Sequence, residues 1–183
     1  MSGDAELMRR VQAGDEAAFG LLMERWELPV KGLLARLLQN ASEAEELAQD
    51  TFVRVWQQRE KYRAGAEFRP WVFAIAVNLA RHRLRWWRRR PVVSLDAWTE
   101  SGRDVAGGGL AAGAALERSE RAESVRHAIA ELPVDLREAL VLAEYEQLSH
   151  LEIAAATGGT AKAVESRLYR ARALLRKALT GKI

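Results

Sequence analysis

Apolar residues recur along this chain at intervals of three and four, the period of a helix with one buried face, and no strand-like alternation persists. Residues 5–13 predict a short opening helix ended at Gly14. Asp15 then caps a longer helix with Phe19, Leu22, Met23 and Trp26 on one side. Pro29 is expected to kink or interrupt it, because proline lacks the N–H and clashes with the preceding turn. Val30, Leu33, Leu34, Leu37 and Leu38 resume the pattern, and residues 40–42 read as a turn. Ser42 and Glu45 have the spacing of a capping box. The helix they open runs to about Arg59, burying Leu47, Phe52 and either Val55 or Trp56, with Glu45, Glu46, Gln49, Asp50 and Arg54 on its exposed face. After a loop around Gly65, Pro70 stands where proline is favoured, in the first turn of a helix. That helix carries Trp71, Ile75, Asn78 and Leu79 and stops before Pro91.

Residues 91–118 break the pattern. Pro91, Gly102, Gly107, Gly108, Gly109 and Gly113 stand there among few large apolar groups, the composition of a flexible linker. The chain then reads as two helical domains, residues 1–90 and 119–183, the second opening near Glu117. In it Val125, Ile129 and Leu132 face inward, and Pro133 opens a helix with Leu136, Leu140, Val141 and Tyr145 on its inner side.

Residues 148–179 read as a helix–turn–helix followed by a long basic helix. Ser149 and Glu152 have capping-box spacing, and small Ala154 lets a second helix cross closely. Thr157-Gly158-Gly159 ends the first helix, and Thr160 caps the next. Val164, Leu168, Ala171 and Leu175 form one apolar stripe, while Lys162, Glu165, Ser166, Arg167, Tyr169, Arg170 and Arg172 occupy the other face. An amphipathic helix with a solvated face has this pattern. So has a recognition helix that reaches base edges with its first half and grips phosphate with its arginines.

Charge segregation favours the second reading. The 183-residue chain carries a net charge of only +3, yet residues 61–90 hold nine basic residues and one acidic, a local +8. Such a block is a candidate footprint for a polyanion. Tyr62, Phe68, Trp71, Phe73, Trp86 and Trp87 lie within it, and aromatics among arginines can stack on unpaired bases. Trp71, Phe73, Ile75 and Leu79 are mostly core by their spacing, whereas Tyr62, Trp86 and Trp87 fit a core less easily. No cysteine is present, so no disulfide framework or thiolate metal site is expected. His82, His127 and His150 lack metal-ligand spacing, and no nucleophile–base pair or phosphate loop appears, so neither cofactor, metal nor catalytic site is expected. No apolar run approaches a membrane span, and the N-terminus has no apolar signal segment. The expectation is an all-α, cytoplasmic, non-enzymatic protein.

Two runs carry a family resemblance. Ala44-Glu45-Glu46-Leu47-Ala48-Gln49-Asp50-Thr51-Phe52-Val53-Arg54-Val55-Trp56, with Phe68-Arg69-Pro70-Trp71-Val72-Phe73-Ala74-Ile75-Ala76-Val77-Asn78, resembles domain two of bacterial extracytoplasmic-function sigma factors. Leu132-Pro133, Leu148-Ser149, Glu152-Ile153-Ala154 and Val164-Glu165-Ser166-Arg167-Leu168-Tyr169-Arg170-Ala171-Arg172 resemble domain four. The resemblance implies an initiation factor that binds core RNA polymerase and reads the −10 and −35 elements of promoter DNA. Glu45, Glu46, Gln49, Asp50, Arg54 and Trp56 would then dock on polymerase. Tyr62, Arg63, Phe68, Trp71, Asn78, Arg81, Arg85 and Arg88 would melt and hold the −10 element, with Arg83 and Arg89 also suited to phosphate. Lys162, Glu165, Ser166, Arg167, Tyr169 and Arg170 would meet the −35 element.

The resemblance departs from pattern at two places. Many members carry a basic residue where Glu165 stands and a glycine–threonine pair where Lys162-Ala163 stands. Glu165 can accept from a cytosine amino group, turn back to Arg167 or Tyr169, or stay solvated. The resemblance also implies an anti-sigma partner and no membrane insertion of the chain's own. About 18 base pairs between the elements span roughly 60 Å at ~3.4 Å per pair. A relaxed linker of about 28 residues averages ~30 Å and extends to ~90 Å, so reaching both needs an extended path. The alternative reading is a helix–turn–helix regulator that acts without polymerase, which leaves the 45–56 motif and the aromatic-arginine block without a purpose.

Overall fold

The computed structural model describes residues 3–89 and 112–180, the last with side chains from residue 121 onward. Among them are eight α-helices, one 3-10 turn and no strand. The helices are α1 (Asp4–Gln12), α2 (Glu16–Leu38), α3 (Ala41–Gln57), α4 (Phe68–Arg89), α5 (Ala112–Ala130), α6 (Val134–Glu144), α7 (His150–Thr157) and α8 (Ala161–Leu179). The 3-10 turn, Arg59–Lys61, follows α3.

The first four helices pack around α2. Asp15 caps α2 as expected, its carboxylate accepting the Ala18 N–H at 3.0 Å. Leu22, Val30, Leu33, Leu34 and Leu37 are sealed in the core, and each such burial contributes roughly 1.5–3 kcal/mol. The expected interruption at Pro29 is absent: α2 is one continuous helix. Pro29 deprives the Arg25 carbonyl of its helical donor. Packing on both sides holds the helix. Trp26 donates its indole N–H to Asp4 at 3.0 Å, and Val30 and Leu33 follow in the core.

Helix α3 starts two residues earlier than its capping-box reading. Asn40, not Ser42, is the N-cap, accepting the Glu43 N–H at 3.1 Å. Ser42 is exposed inside the first turn, and Glu45 pairs elsewhere. Leu47, Phe52 and Val55 are buried, and Trp56 is half-buried.

Helix α5 begins at Ala112, inside the stretch read as linker, because Ala112, Ala114, Ala115 and Leu116 are strong helix formers that outweigh Gly113. The rest of that stretch lies outside the described residues. Ile129 and Leu132 are buried and Val125 half-buried, but Tyr145 is partly exposed, with the Arg36 guanidinium 4.6 Å from its ring centroid.

The two sequence halves do not stand apart. Helix α7 packs on α4, α6 packs on α2, and one apolar cluster runs through both halves. Arg137 of α6 donates to Leu37 O at the end of α2 (2.6 Å) and to Ala130 O at the end of α5, filling carbonyls that a helix end leaves without partners.

Candidate functional site

Three surfaces bear the residues singled out from the sequence. The first is the outer face of α3. Ala44, Leu47, Ala48, Thr51, Phe52 and Val55 form its buried seam, so Glu45, Glu46, Gln49, Asp50 and Arg54 are turned to solvent together. Lys31 Nζ lies 2.8 Å from Glu45, and Arg83 of α4 donates to Glu46 at 2.8 Å and also to Glu43. That hydrogen bond from Arg83 holds the Glu46 carboxyl below the usual range and raises the guanidinium further. Arg83 thus ties α3 to α4 rather than facing outward. Trp56 packs on Phe19 with ring centroids 5.1 Å apart, and the Arg59 guanidinium lies over its ring, 4.6 Å from the centroid. Its body supports the fold and only part of it remains for a partner.

The second surface is α4 with the preceding loop. Here the aromatics divide differently from expectation. Tyr62 is core: it is 3% exposed, its hydroxyl donates to Ala66 O, and its ring lies 5.2 Å from Trp71 and 6.3 Å from Phe68. Burial pushes its phenol upward in pKa. Phe68 is likewise buried, between Trp26 (5.8 Å) and Trp71 (5.9 Å). In this conformation neither ring offers a face to a base; they set the loop's shape. A sequence lists these aromatics without showing that the loop folds back over them. Trp71 and Trp87 are half-buried, while Arg63, Asn78, Arg85, Trp86, Arg88 and Arg89 are exposed.

Asn78, Arg81, Arg85 and Arg88 recur at steps of three or four along α4, one stripe about 15 Å long at ~1.5 Å per residue. Arg81 is the exception in exposure. Its Nε lies 2.8 and 2.9 Å from the two oxygens of Glu138, a residue of α6 that is 2% exposed. Burial raises the Glu138 carboxyl above its ordinary range, against the opposing pull of Arg81.

The third surface is the helix–turn–helix of α7 and α8. Ser149 and Glu152 form the expected capping box: Ser149 N–H donates to Glu152 at 2.7 Å, and Glu152 N–H to the Ser149 hydroxyl at 3.3 Å. The Ser149 donors lower the Glu152 carboxyl. Gly158 (φ 77°) and Gly159 (φ 119°) make the turn in a region that suits glycine. Thr160 caps α8, accepting the Ala163 N–H at 3.2 Å. Val164, Leu168 and Ala171 are buried. Opposite them Lys162, Glu165, Ser166, Tyr169 and Arg170 are exposed, Tyr169 at 77%. Arg167 is turned inward instead. Its guanidinium sits 3.5 Å from the Thr157 hydroxyl and 3.9 Å from Asp135, bracing the turn against α6.

Sequence reasoning missed the residues that join the halves: Glu138, Glu146, Arg137, Arg36 and Arg69. Glu146 is nearly buried, with Arg36 and Arg69 each 3.6 Å away. The available signal was a carboxylate inside an apolar stretch, Glu138 beside Leu136, Ala139 and Leu140. Among the described residues no cluster of His, Cys, Asp or Glu is placed to hold a metal ion. Nor is any described helix long and apolar enough to cross a membrane.

Known proteins carry the same arrangement. Residues 22–90 match the family model Sigma-70 region 2, and residues 122–175 match Sigma-70, region 4. The chain is 35% identical over 180 residues to RNA polymerase sigma-H factor of Pseudomonas aeruginosa, covering 96% of this chain and 93% of that one. It is 34% identical to ECF RNA polymerase sigma-E factor of Escherichia coli K12, over 92% of this chain and 90% of the relative. Among solved structures it resembles CnrH in complex with the cytosolic domain of CnrY (TM-score 0.70, 27% identity, 98% and 99% covered). The fold also matches the sigma factor RpoE of Bartonella quintana, solved with the anti-sigma factor NepR (TM-score 0.69, 23% identity, 90% and 98% covered). With both regions present in order and the relatives matched over nearly their whole length, the chain belongs to the extracytoplasmic-function group of RNA polymerase sigma factors, which direct polymerase to promoters.

Proposed function

We propose that the three surfaces divide the work of initiation. Residues 1–90 act as domain two and residues 119–183 as domain four, joined by the 91–118 segment. The outer face of α3, with Glu45, Glu46, Gln49, Asp50 and Arg54, docks core polymerase, and the exposed part of Trp56 joins it. The α4 stripe of Asn78, Arg81, Arg85 and Arg88, with Arg63 in the loop, engages the −10 element. Buried Tyr62 and Phe68 and half-buried Trp71 shape that loop. A base leaving the stack loses a few kcal/mol, part of which a polar pocket returns. The exposed start of α8, with Lys162, Glu165, Ser166, Tyr169 and Arg170, meets the −35 element, and Arg167 positions the helix. The protein works in the cytoplasm as a binding factor without chemistry of its own. An anti-sigma protein is its natural inhibitor, as the partner-bound RpoE suggests for its own case.

The observation that carries this reading is the solvent-facing acidic and polar stripe on α3 beside an exposed basic stripe on α4. Opposite charge on a partner steers and orients docking. Asp50→Lys tests it. The variant is expected to keep its helical circular dichroism and lose about tenfold or more in affinity for core polymerase, the effect of 1.4 kcal/mol. Unchanged affinity would move the docking surface elsewhere.

A further inference from the structure

Trp86 is the aromatic of the basic block that the fold leaves on the surface. Tyr62, Phe68 and Phe73 are buried, Trp71 and Trp87 are half-buried, and Trp86 is 47% exposed. It borders a hollow of about 580 Å³ between α3 and the C-terminal half of α4. A hollow of that size takes a small ligand, or one planar group of a larger one. Leu79, His82, Arg85, Trp86 and Arg89 line it from α4, and Asp50 lines it from α3. Arg83 borders it too, but Glu43 and Glu46 hold that guanidinium.

Charge selects the occupant. Arg85 and Arg89 are exposed cations on the α4 wall, and the single carboxylate, Asp50, stands on the other. An anionic backbone therefore runs along α4, away from Asp50, and what it presents inward meets Trp86 and Leu79. Asn78, His82, Arg85 and Arg89 follow one another at steps of four, three and four residues, so the hollow opens on the same face of α4 as Asn78. His82 Nδ1 lies 3.4 Å from Arg85 Nη2, so these two side chains converge. Trp86 stands eight residues beyond Asn78, about 12 Å along the helix at ~1.5 Å per residue. That is the rise of roughly three to four base steps at ~3.4 Å each. A paired base has both faces covered by its neighbours, whereas an unpaired one can stack on an indole while guanidinium groups hold its backbone.

Resting on the proposed −10 role of α4, we propose that this hollow is a second base-holding site. An unpaired base of the melted promoter strand stacks on Trp86, and Arg85 and Arg89 hold its flanking phosphates. Trp86 thereby supplies the ring face that buried Tyr62 and Phe68 withhold.

The test uses the full chain and fluorescence anisotropy with a labelled strand of about 12 deoxyadenosines, single or paired with its complement. Trp86→Leu keeps an apolar body but no π face, and Trp86→Phe keeps a ring. Trp86→Leu should bind the single strand about tenfold more weakly, and Trp86→Phe within about threefold of wild type. Both should keep wild-type helicity, duplex affinity and affinity for core polymerase. Equal losses on strand and duplex would overturn the site, as would a Trp86→Phe variant as weak as Trp86→Leu. A fall in core affinity with single-strand binding intact would make the hollow a polymerase contact and overturn it as well. Asn78→Ala, measured alongside, separates the two levels of the claim. If neither Asn78→Ala nor Trp86→Leu weakens the single strand, the −10 role of α4 falls and this site with it. If Asn78→Ala weakens it and Trp86→Leu does not, only this site falls.

Discussion

Tyr62 and Asn78 belong to one basic, aromatic block and stand in opposite environments, one sealed in an aromatic cluster, the other on the surface of α4. Their alanine variants should therefore fail differently. Tyr62→Ala is expected to lose about 3–5 kcal/mol in chemical denaturation, as for other buried aromatics. Asn78→Ala should unfold like the wild type but slow promoter opening, with premelted DNA restoring it; equal defects on both templates would leave Asn78 with a simple binding role. The sequence could not separate the two, because the spacing of aromatics does not say which way a loop closes. Glu138 is a second residue-scale case. It faces Arg81 of α4 and Arg167 of α8, with Asp135 on its own helix, and burial still raises its pKa. A raised carboxyl binds its proton more tightly folded than unfolded. The stability linked to that proton is full below the unfolded value and disappears as pH rises through the folded one. Wild type measured against Glu138→Gln should thus gain stability on acidification from pH 7 toward the ordinary carboxylate range near 4.5. A difference that stays flat with pH would mean an unshifted carboxyl.

At the scale of elements, local chemistry was the most legible. The capping box of α7, the Thr160 cap, the glycine turn and the buried stripe of α8 all follow from short-range spacing, and the structure has each of them. Competition between neighbours was less legible. Asn40 and Ser42 both suit an N-cap, and the helix takes the first, with Ala44 and Leu47 buried. Likewise Pro29 breaks the local rule while the core on either side keeps α2 whole. On α8, position along the helix separates grip from readout. Arg170 is exposed past the first turns, so Arg170→Ala should weaken binding to all sequences alike and reduce the salt slope by about 1. Glu165 is exposed nearer the helix start, where side chains meet base edges. Glu165→Ala should relax preference at one −35 position, worth roughly 1–3 kcal/mol. Affinities across a −35 library at two salt concentrations check both, and uniform strengthening by Glu165→Ala would mark a merely solvated carboxylate.

For the whole molecule, the order of its two regions was readable from motifs, and their closure on each other was not. Arg81 and Glu138, or Leu37 and Arg137, are far apart in sequence and meet only through the packing of α6 and α7 on α2 and α4. No local period encodes such a meeting. A linker of about 28 residues lets the halves reach apart, whereas in this structure they pack together. Both regions together serve one task, directing core polymerase to promoters. Run-off transcription with purified chain and core polymerase, on a library of genomic promoter fragments, tests this directly. Transcripts are expected from a specific subset of fragments, absent with core alone and reduced by Asp50→Lys. Transcripts no more abundant than with core alone, across the library, would contradict it.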